Sequence, residues 1–402
     1  MTIGLPIVEE LKKLDYVEQA EIAGSFRRCM ETIGDLDFIV ASSNPVPIME
    51  WFCSQNFVAS ITAKGRTKSS IRHHTGIQMD LRVVPKKQYP YALLYFTGSK
   101  AHNIKLRKRA LKMGYQLNEY GLSGAKIVGS EKEIYQQLDL PYVVPELRED
   151  QGELASKKLP VLLEPEDIRG VFHCHTTASD GHNTLEEMAQ KAVEFGWEYL
   201  GISDHSKSSF HAGGLDEKRL EAQVEQIRKM NQSKRFDVHL FAGTECDILK
   251  DGSLDYSNEV LKELDFVIIS IHQDLQLDEK TMTKRLIKAI ENPYTTMVAH
   301  LTARLLLRQE PIALDIAKVI DACIANGKLI EINGNPWRME MDWRWWKKAK
   351  EKGLQAVINP DAHSAEALWF YKTGVHVARK GWLTKEDVVN TYSLKNMQLL
   401  LE

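Results

Sequence analysis

The chain has no apolar run near the roughly 20 residues that a membrane span requires. Its best candidate, residues 266–271, is only strand-sized. The opening stretch MTIGLPIVEELKK lacks the basic, apolar and small-residue succession of a secretory leader. Cysteine is sparse: Cys29, Cys53, Cys174, Cys246 and Cys323 are scattered and odd in number, with no C-x-x-C. That excludes a disulfide framework and fits a reducing, cytoplasmic setting. No fixed-period repeat or low-complexity tract is present. What remains is a chain of 402 residues, 43% hydrophobic and 27% charged, enough for two or three domains with real cores.

Acids are scarce in one place. Between Lys64 and Lys112 stand thirteen basic residues and a single acid, Asp80. Residues 1–150 hold 20 Lys and Arg against 17 Asp and Glu, whereas residues 151–402 hold 32 against 38. A net charge of −3 therefore hides a basic first third, the kind of surface that binds a phosphate polyanion.

That third reads as a short helix (7–13), a strand (17–23), and then GSFRRCMETIGDLDFIV. Gly24 and Ser25 start a tight turn into a helix whose first amides favour anions, with Ser25 and Arg28 placed to hold phosphate oxygens. Asp35 and Asp37 flank Leu36 on the next strand, so alternation puts both carboxylates on one face. Two such carboxylates repel unless a cation lies between them, and hard divalent ions such as Mg2+ take oxygen ligands. Asp80, in the strand over 77–84, is a third ligand if the two strands are neighbours. A surface hairpin with exposed acids is the bland alternative. The coincidence of Gly-Ser, Asp-x-Asp and a later strand Asp weighs against it.

Next comes YFTGSKAHNIKLRKRALKMGY. Tyr95 and Phe96 offer aromatic surface at a bend permitted by Gly98. Asn103 and Arg107 share a face of the following helix. Residues 140–166, rich in Pro, Glu, Asp and Lys, read as a linker or a lightly packed arm.

From residue 167 onward, seven apolar strands alternate with helical stretches, which predicts a parallel (βα)7 barrel. Metal-competent side chains fall at or just beyond six strand ends: His173 and His175 in VFHCHTTASDGH, Asp204-His205, Glu245, His272, His300, and Asp361 with His363. Asp180 stands on the first loop. His173 and His175, two apart on a strand, point the same way. Barrel active sites occupy this rim. Core histidines do not explain six strand ends in register. Nine nitrogen and oxygen ligands exceed what one zinc takes and suit two or three ions with a bridging carboxylate; imidazole favours Zn2+ or Mn2+. Trp337, Trp343, Trp345 and Trp346 follow NGNP; packing on the barrel flank is expected, with base stacking at the mouth as the alternative.

Gly-Ser followed by Asp-x-Asp, the later strand Asp and the YFTGS segment resemble the palm and thumb of family-X DNA polymerases. The remainder resembles the PHP (polymerase and histidinol phosphatase) family through nine of the residues above, Asp204 aside, and through GLDEKRL, GTECDILKDGSLDY and NPDAHS. The resemblance implies a palm over 1–85, a thumb over 86–139, a linker over 140–166 and a PHP barrel over 167–402, an architecture both α/β and α+β. It implies that Asp35, Asp37 and Asp80 bind two catalytic Mg2+ ions. Gly24, Ser25, Arg28, Tyr95, Phe96, Gly98 and Asn103 would serve the incoming dNTP. Arg107 would lie near the templating base, and Lys105, Lys108 and Arg109 would reach DNA phosphates.

In the barrel the resemblance sorts the ligands into three sets. The first is His173, His175, Glu245 and Asp361; the second, Glu245, His272 and His300; the third, Asp180, His205 and His363. Glu245 is the bridge and a catalytic residue. Gln273, Leu301 and Ala303 depart from the family's usual Ser, Pro and Gly without removing a ligand. The usual N-terminal DNA-binding and fingers regions are not in this sequence, which bears against polymerisation and leaves the barrel untouched.

The expected function is a repair-type enzyme on DNA 3′ ends: a metal-dependent 3′-5′ exonuclease, with abasic-site incision in reach of the same site, beside a polymerase. The alternatives are a nuclease whose palm and thumb only bind DNA, and a small-molecule phosphatase of the histidinol phosphatase kind.

Overall fold

The computed structural model describes residues 3–402. It forms two compact units, Met1–Leu159 and Pro160–Glu402. Among the described residues no helix is long and apolar enough to cross a membrane, and all five cysteines are free.

In the first unit the alternating DLDFIVA forms strand β2 (Asp35–Ala41). It belongs to a five-stranded sheet of order β1-β2-β5-β4-β3, with β1 at Gln19–Ile22, β3 at Val58–Lys64, β4 at Lys68–His73 and β5 at Gln78–Val84. Leu36, Phe38 and Val40 face a core shared with Leu11, Ile48, Phe52, Met79 and Leu81. Each large apolar side chain buried there contributes about 1.5–3 kcal/mol relative to exposure. The opposite face carries Asp35 and Asp37, then Ile39 and Ala41, which pack on Tyr89, Ala92 and Leu93 of the helix Tyr89–Thr97. β2 and β5 are parallel neighbours, with Asp37 opposite Asp80.

Tyr95 and Phe96 end that helix rather than lying in the bend, which falls at Gly98 with φ +70°. Ser99 then caps the helix Lys100–Lys112, its hydroxyl accepting from the His102 amide. A hairpin of β6 (Gln116–Asn118) and β7 (Gly121–Ser123) and the helix Glu131–Gln137 follow.

Residues 140–159 differ from the expected linker: they pack into the first unit. The fully buried Arg148 donates to Glu131 at 2.7 Å, and the buried Glu153 lies 2.6 Å from His102 Nδ1. The polar composition that suggested solvation is instead spent on internal ion pairs.

The second unit is a seven-stranded parallel sheet of order β14-β13-β12-β11-β10-β9-β8. Its strands are β8 (Gly170–Val171), β9 (Tyr199–Ile202), β10 (His239–Asp247), β11 (Phe266–Ser270), β12 (Met297–Val298), β13 (Leu329–Asn333) and β14 (Ala356–Asn359). Nearly every strand residue is buried, as expected where helices cover a parallel sheet. The sheet nearly closes: beyond the ends of β8 and β14, Cys174 pairs with Ala362. Phe172, Tyr199, Phe241 and Phe266 fill the interior together with Val389 and Met397 from the last segment. Gly243 makes room for this filling, since a Cβ there would stand 2.4 Å from the Phe266 ring.

Candidate metal centre

The rim residues do not reach their places as the strand alternation predicted. β8 ends at Val171, and His173 has φ +54°. Asp361, just past β14, has φ +50°. Left-handed backbone at non-glycine residues costs about 1–3 kcal/mol and persists where surrounding structure enforces it. Here the enforcement is the barrel closure: Ala362 N–H donates to His173 O, and His175 N–H to Ala362 O at 2.8 Å. His173 and His175 still converge, with ring centroids 5.3 Å apart.

Glu245, near the end of β10 and 1% exposed, is the hub. Its Oε2 lies 3.3 Å from His173 Nε2, 3.6 Å from His175 Nε2 and 3.0 Å from His205 Nδ1. Its Oε1 lies 2.8 Å from His300 Nε2 and 3.3 Å from His272 Nε2. Asp361 Oδ1 stands 3.5 Å from His173 Nε2 and 3.6 Å from His175 Nε2. Asp180 lies 3.7 Å from His205 Nε2 and 3.4 Å from His363 Nε2. Ligand atoms drawn together within 4.8 Å form four overlapping sets: His175, Asp180, His205 and His363; His173, Glu245 and His300; His173, His175 and Asp361; His205, Glu245 and His272. All nine sequence-predicted residues take part. Asp204 does not: its carboxylate accepts from Thr176, Ser179 and Gln223.

The donor set fits divalent cations. Both ring nitrogens of His175, His173 Nε2 and His205 Nδ1 are buried without a hydrogen-bond partner, a cost of about 1–3 kcal/mol per group unless something binds there. The electrostatics agree. Burial alone would raise the Glu245 carboxyl, but His173, His205 and His272 hold it well below the carboxylate range. Asp361 is likewise held low, by His173 and His175 against burial. Against burial, Glu245 and Asp247 push His272 up to about 10. Burial and the neighbouring His205 and His363 push His175 down to about 4. So uneven a proton distribution is what closely set ligands adopt when no cation neutralises them.

Three supporting residues were not foreseen. Glu331 Oε2 lies 2.6 Å from His173 Nδ1, and Asp247 Oδ1 lies 2.6 Å from His272 Nδ1. Arg338 Nε donates to Asp361 Oδ2 at 3.1 Å. Carboxylates behind ligating imidazoles fix ring orientation and tautomer. The spacing of Asp247, two past Glu245 on one strand, was a usable signal. Glu331 carried none, because it sits inside the apolar strand β13.

The palm trio is looser. Asp35 and Asp37 share a face with Asp80 across the parallel pair, yet every convergent set of three within 4.8 Å among the described residues lies in the barrel. Burial together with Asp35 and Asp80 pushes the Asp37 carboxyl up to about 6. Gly24 has φ +62°, and a Cβ on it would sit 2.6 Å from Asp37 Oδ2.

The other front-half residues have the following surroundings. Gly24–Arg27 is a single helical turn. Ser25 is half-buried in it. Arg28 pairs with Glu149 at 2.9 Å and donates to Thr97 O. Asn103 Nδ2 donates to Tyr95 O at 2.7 Å, and Phe96 lies under the Arg82 guanidinium at 4.3 Å. Lys105 pairs with Asp150 and Arg109 holds the Leu138 carbonyl, whereas Arg107 and Lys108 are exposed.

Fold and site together define a metal-dependent phosphoesterase barrel that follows a polymerase-type palm and thumb. Residues 92–149 match the family model for the DNA polymerase beta thumb, and residues 172–335 that for the PHP domain. The whole chain is 37% identical to the DNA polymerase/3′-5′ exonuclease PolX of Bacillus subtilis (strain 168), covering 72% of that protein. Over 54% of the chain it is 30% identical to a probable phosphatase of Thermoanaerobacter sp. (strain X514), covering 89% of it. Over 48% it is 31% identical to a probable phosphatase of Acetivibrio thermocellus, covering 78% of it. The chain belongs to the PolX family, the family-X DNA polymerases with a PHP domain.

Proposed function

We propose that this chain is a cytoplasmic repair-type enzyme with two active sites: a barrel that removes nucleotides from DNA 3′ ends, and a palm that adds them. The observation that carries the barrel reading is the convergence of five imidazoles on Glu245. Glu245 and the imidazoles around it would hold two or three Mn2+ or Zn2+ ions. Such ions supply an activated water and neutralise charge on the scissile phosphate.

The chain's own residues do the rest. His173, His175 and Asp361, with His272 and His300 and with Asp180, His205 and His363, would hold the ions around Glu245, and the scissile phosphodiester would meet them at the rim. Glu331 and Asp247 hold His173 and His272 with one nitrogen turned inward. In the palm, Asp35, Asp37 and Asp80 would hold Mg2+ with a dNTP; on the thumb, the exposed Arg107 would lie near the templating base and the exposed Lys108 would meet the DNA backbone. The thumb's Tyr95, Phe96 and Asn103 would flank the nucleotide.

The experiment is to incubate the purified chain with 3′-labelled and 5′-labelled primer–template and Mn2+, beside His173→Ala. Stepwise shortening by the unaltered chain alone is expected. An unshortened primer, or equal shortening by the variant, overturns the barrel reading.

A second reading rests on the probable phosphatases that match about half of the chain: hydrolysis of small phosphate monoesters. Cleavage of a polyanion weakens steeply with salt, while that of a small monoester changes little. A salt series on both substrates separates the two.

A further inference from the structure

Of the four tryptophans after NGNP, Trp343 and Trp346 are buried and Trp345 is half-buried. Trp337 differs: it is 48% exposed. The Arg308 guanidinium lies over its ring at 3.9 Å. Two rim loops are joined here. Leu306 N–H donates to Trp337 O at 2.6 Å, Arg304 Nε donates to Arg338 O at 2.9 Å, and Thr302 N–H donates to Glu340 Oε2 at 2.7 Å. The indole is thus held on a braced platform. The next residue in the chain, Arg338, reaches Asp361 of the centre.

An exposed indole backed by a guanidinium, beside a phosphodiester-cleaving rim, matches one ligand chemistry. Nucleobases stack on aromatic rings whatever their identity, and an adjacent arginine attracts the phosphate of the same nucleotide. Trp337 has no part in the chemistry proposed for the barrel.

We propose that Trp337, with Arg308 on its ring, receives a nucleobase at the 3′ end of a single DNA strand and positions the adjoining phosphodiester over the barrel rim. This rests on the nuclease reading and deepens it: the site takes nucleotides by their bases as well as their phosphates. Trp337 is a positioning residue, so its loss acts on strand capture more than on the chemical step.

The test uses the full chain and two short single-stranded oligonucleotides, one ending in a normal nucleotide and one in a tetrahydrofuran residue that lacks a base. Binding is read with the metal-free protein by anisotropy of a dye-labelled strand, and cleavage with Mn2+. Trp337→Ala should weaken binding and raise KM on the base-bearing end by roughly five- to hundredfold, the range stacking one base on one ring covers. Trp337→Phe should retain most of both. On the baseless end, Trp337→Ala and the unaltered chain should agree. Equal behaviour of Trp337→Ala and the unaltered chain on the normal end overturns the proposal. So does an equal loss on both ends, which would point to a general structural role or a protein-docking surface. A chain that binds with the expected base dependence but never cleaves overturns the nuclease reading and leaves the stacking site standing.

Discussion

Glu331 holds His173 from behind: its Oε2 lies 2.6 Å from Nδ1, which leaves Nε2 facing Glu245 and Asp361. Both side chains are fully buried. The contact presets the nitrogen that a cation needs. Glu331→Gln should therefore lower metal affinity and nucleotide release by about 10- to 100-fold, the usual cost of losing a carboxylate behind a ligating imidazole. Metal titration and initial rates check it. Unchanged affinity would mean that the barrel closure alone orients the ring.

Stripping the cations should also destabilise the second unit, since buried ring nitrogens of His173, His175 and His205 would lose their only partners. A ligand present at a hundredfold over its Kd stabilises the folded state by about 2.7 kcal/mol. A chelator should lower the melting temperature, and Mn2+ should restore it. Glu245→Gln should cut nucleotide release by at least about 100-fold and abolish most of that restoration. Identical melting with and without chelator would exclude a bound cluster.

The palm makes a prediction about pH. Burial and the charges of Asp35 and Asp80 push Asp37 up to about 6, so protons compete with a cation there within an accessible range. Divalent binding at the palm should weaken as pH falls through 6. Asp80→Asn removes one source of the elevation, so the midpoint should move down, measured by NMR titration of the Asp37 carboxyl. Gly24→Ala should displace Asp37 by steric contact and abolish primer extension while leaving barrel cleavage intact. Normal extension by that variant would remove Asp37 from the palm chemistry.

The first unit depends on a buried ion cluster. Glu131 accepts from Arg27 at 2.8 and 3.0 Å and from Arg148 at 2.7 Å. Burial would raise its carboxyl, yet Arg148 and Arg27 hold it at about 2. A depressed carboxylate contributes stability that is fully present above its unfolded value near 4.5 and is lost as pH falls from there to about 2. The shift corresponds to about 3 kcal/mol. Glu131→Ala should cost about 3–5 kcal/mol at neutral pH, because it leaves Arg148 buried without a counter-charge. Denaturant melts at several pH values read both effects, and a pH-independent melt would refute the account.

The sequence by itself determined the alternation of seven strands with helices, the carboxylate face of β2, and a set of metal-competent residues at six strand ends, Asp204 among them. These follow from period and spacing, because a strand end in a parallel barrel always opens on the same rim. Only the tertiary structure decided three things. Strand closure through Cys174 and Ala362, not alternation, brings His173 and His175 together. Glu331 and Asp247 orient the rings from strands far away in the chain. Residues 140–159 and Arg28 make ion pairs within the first unit. Period records which face a side chain takes. It carries no record of which distant charge that side chain will meet, because partner choice among buried charges is settled by packing.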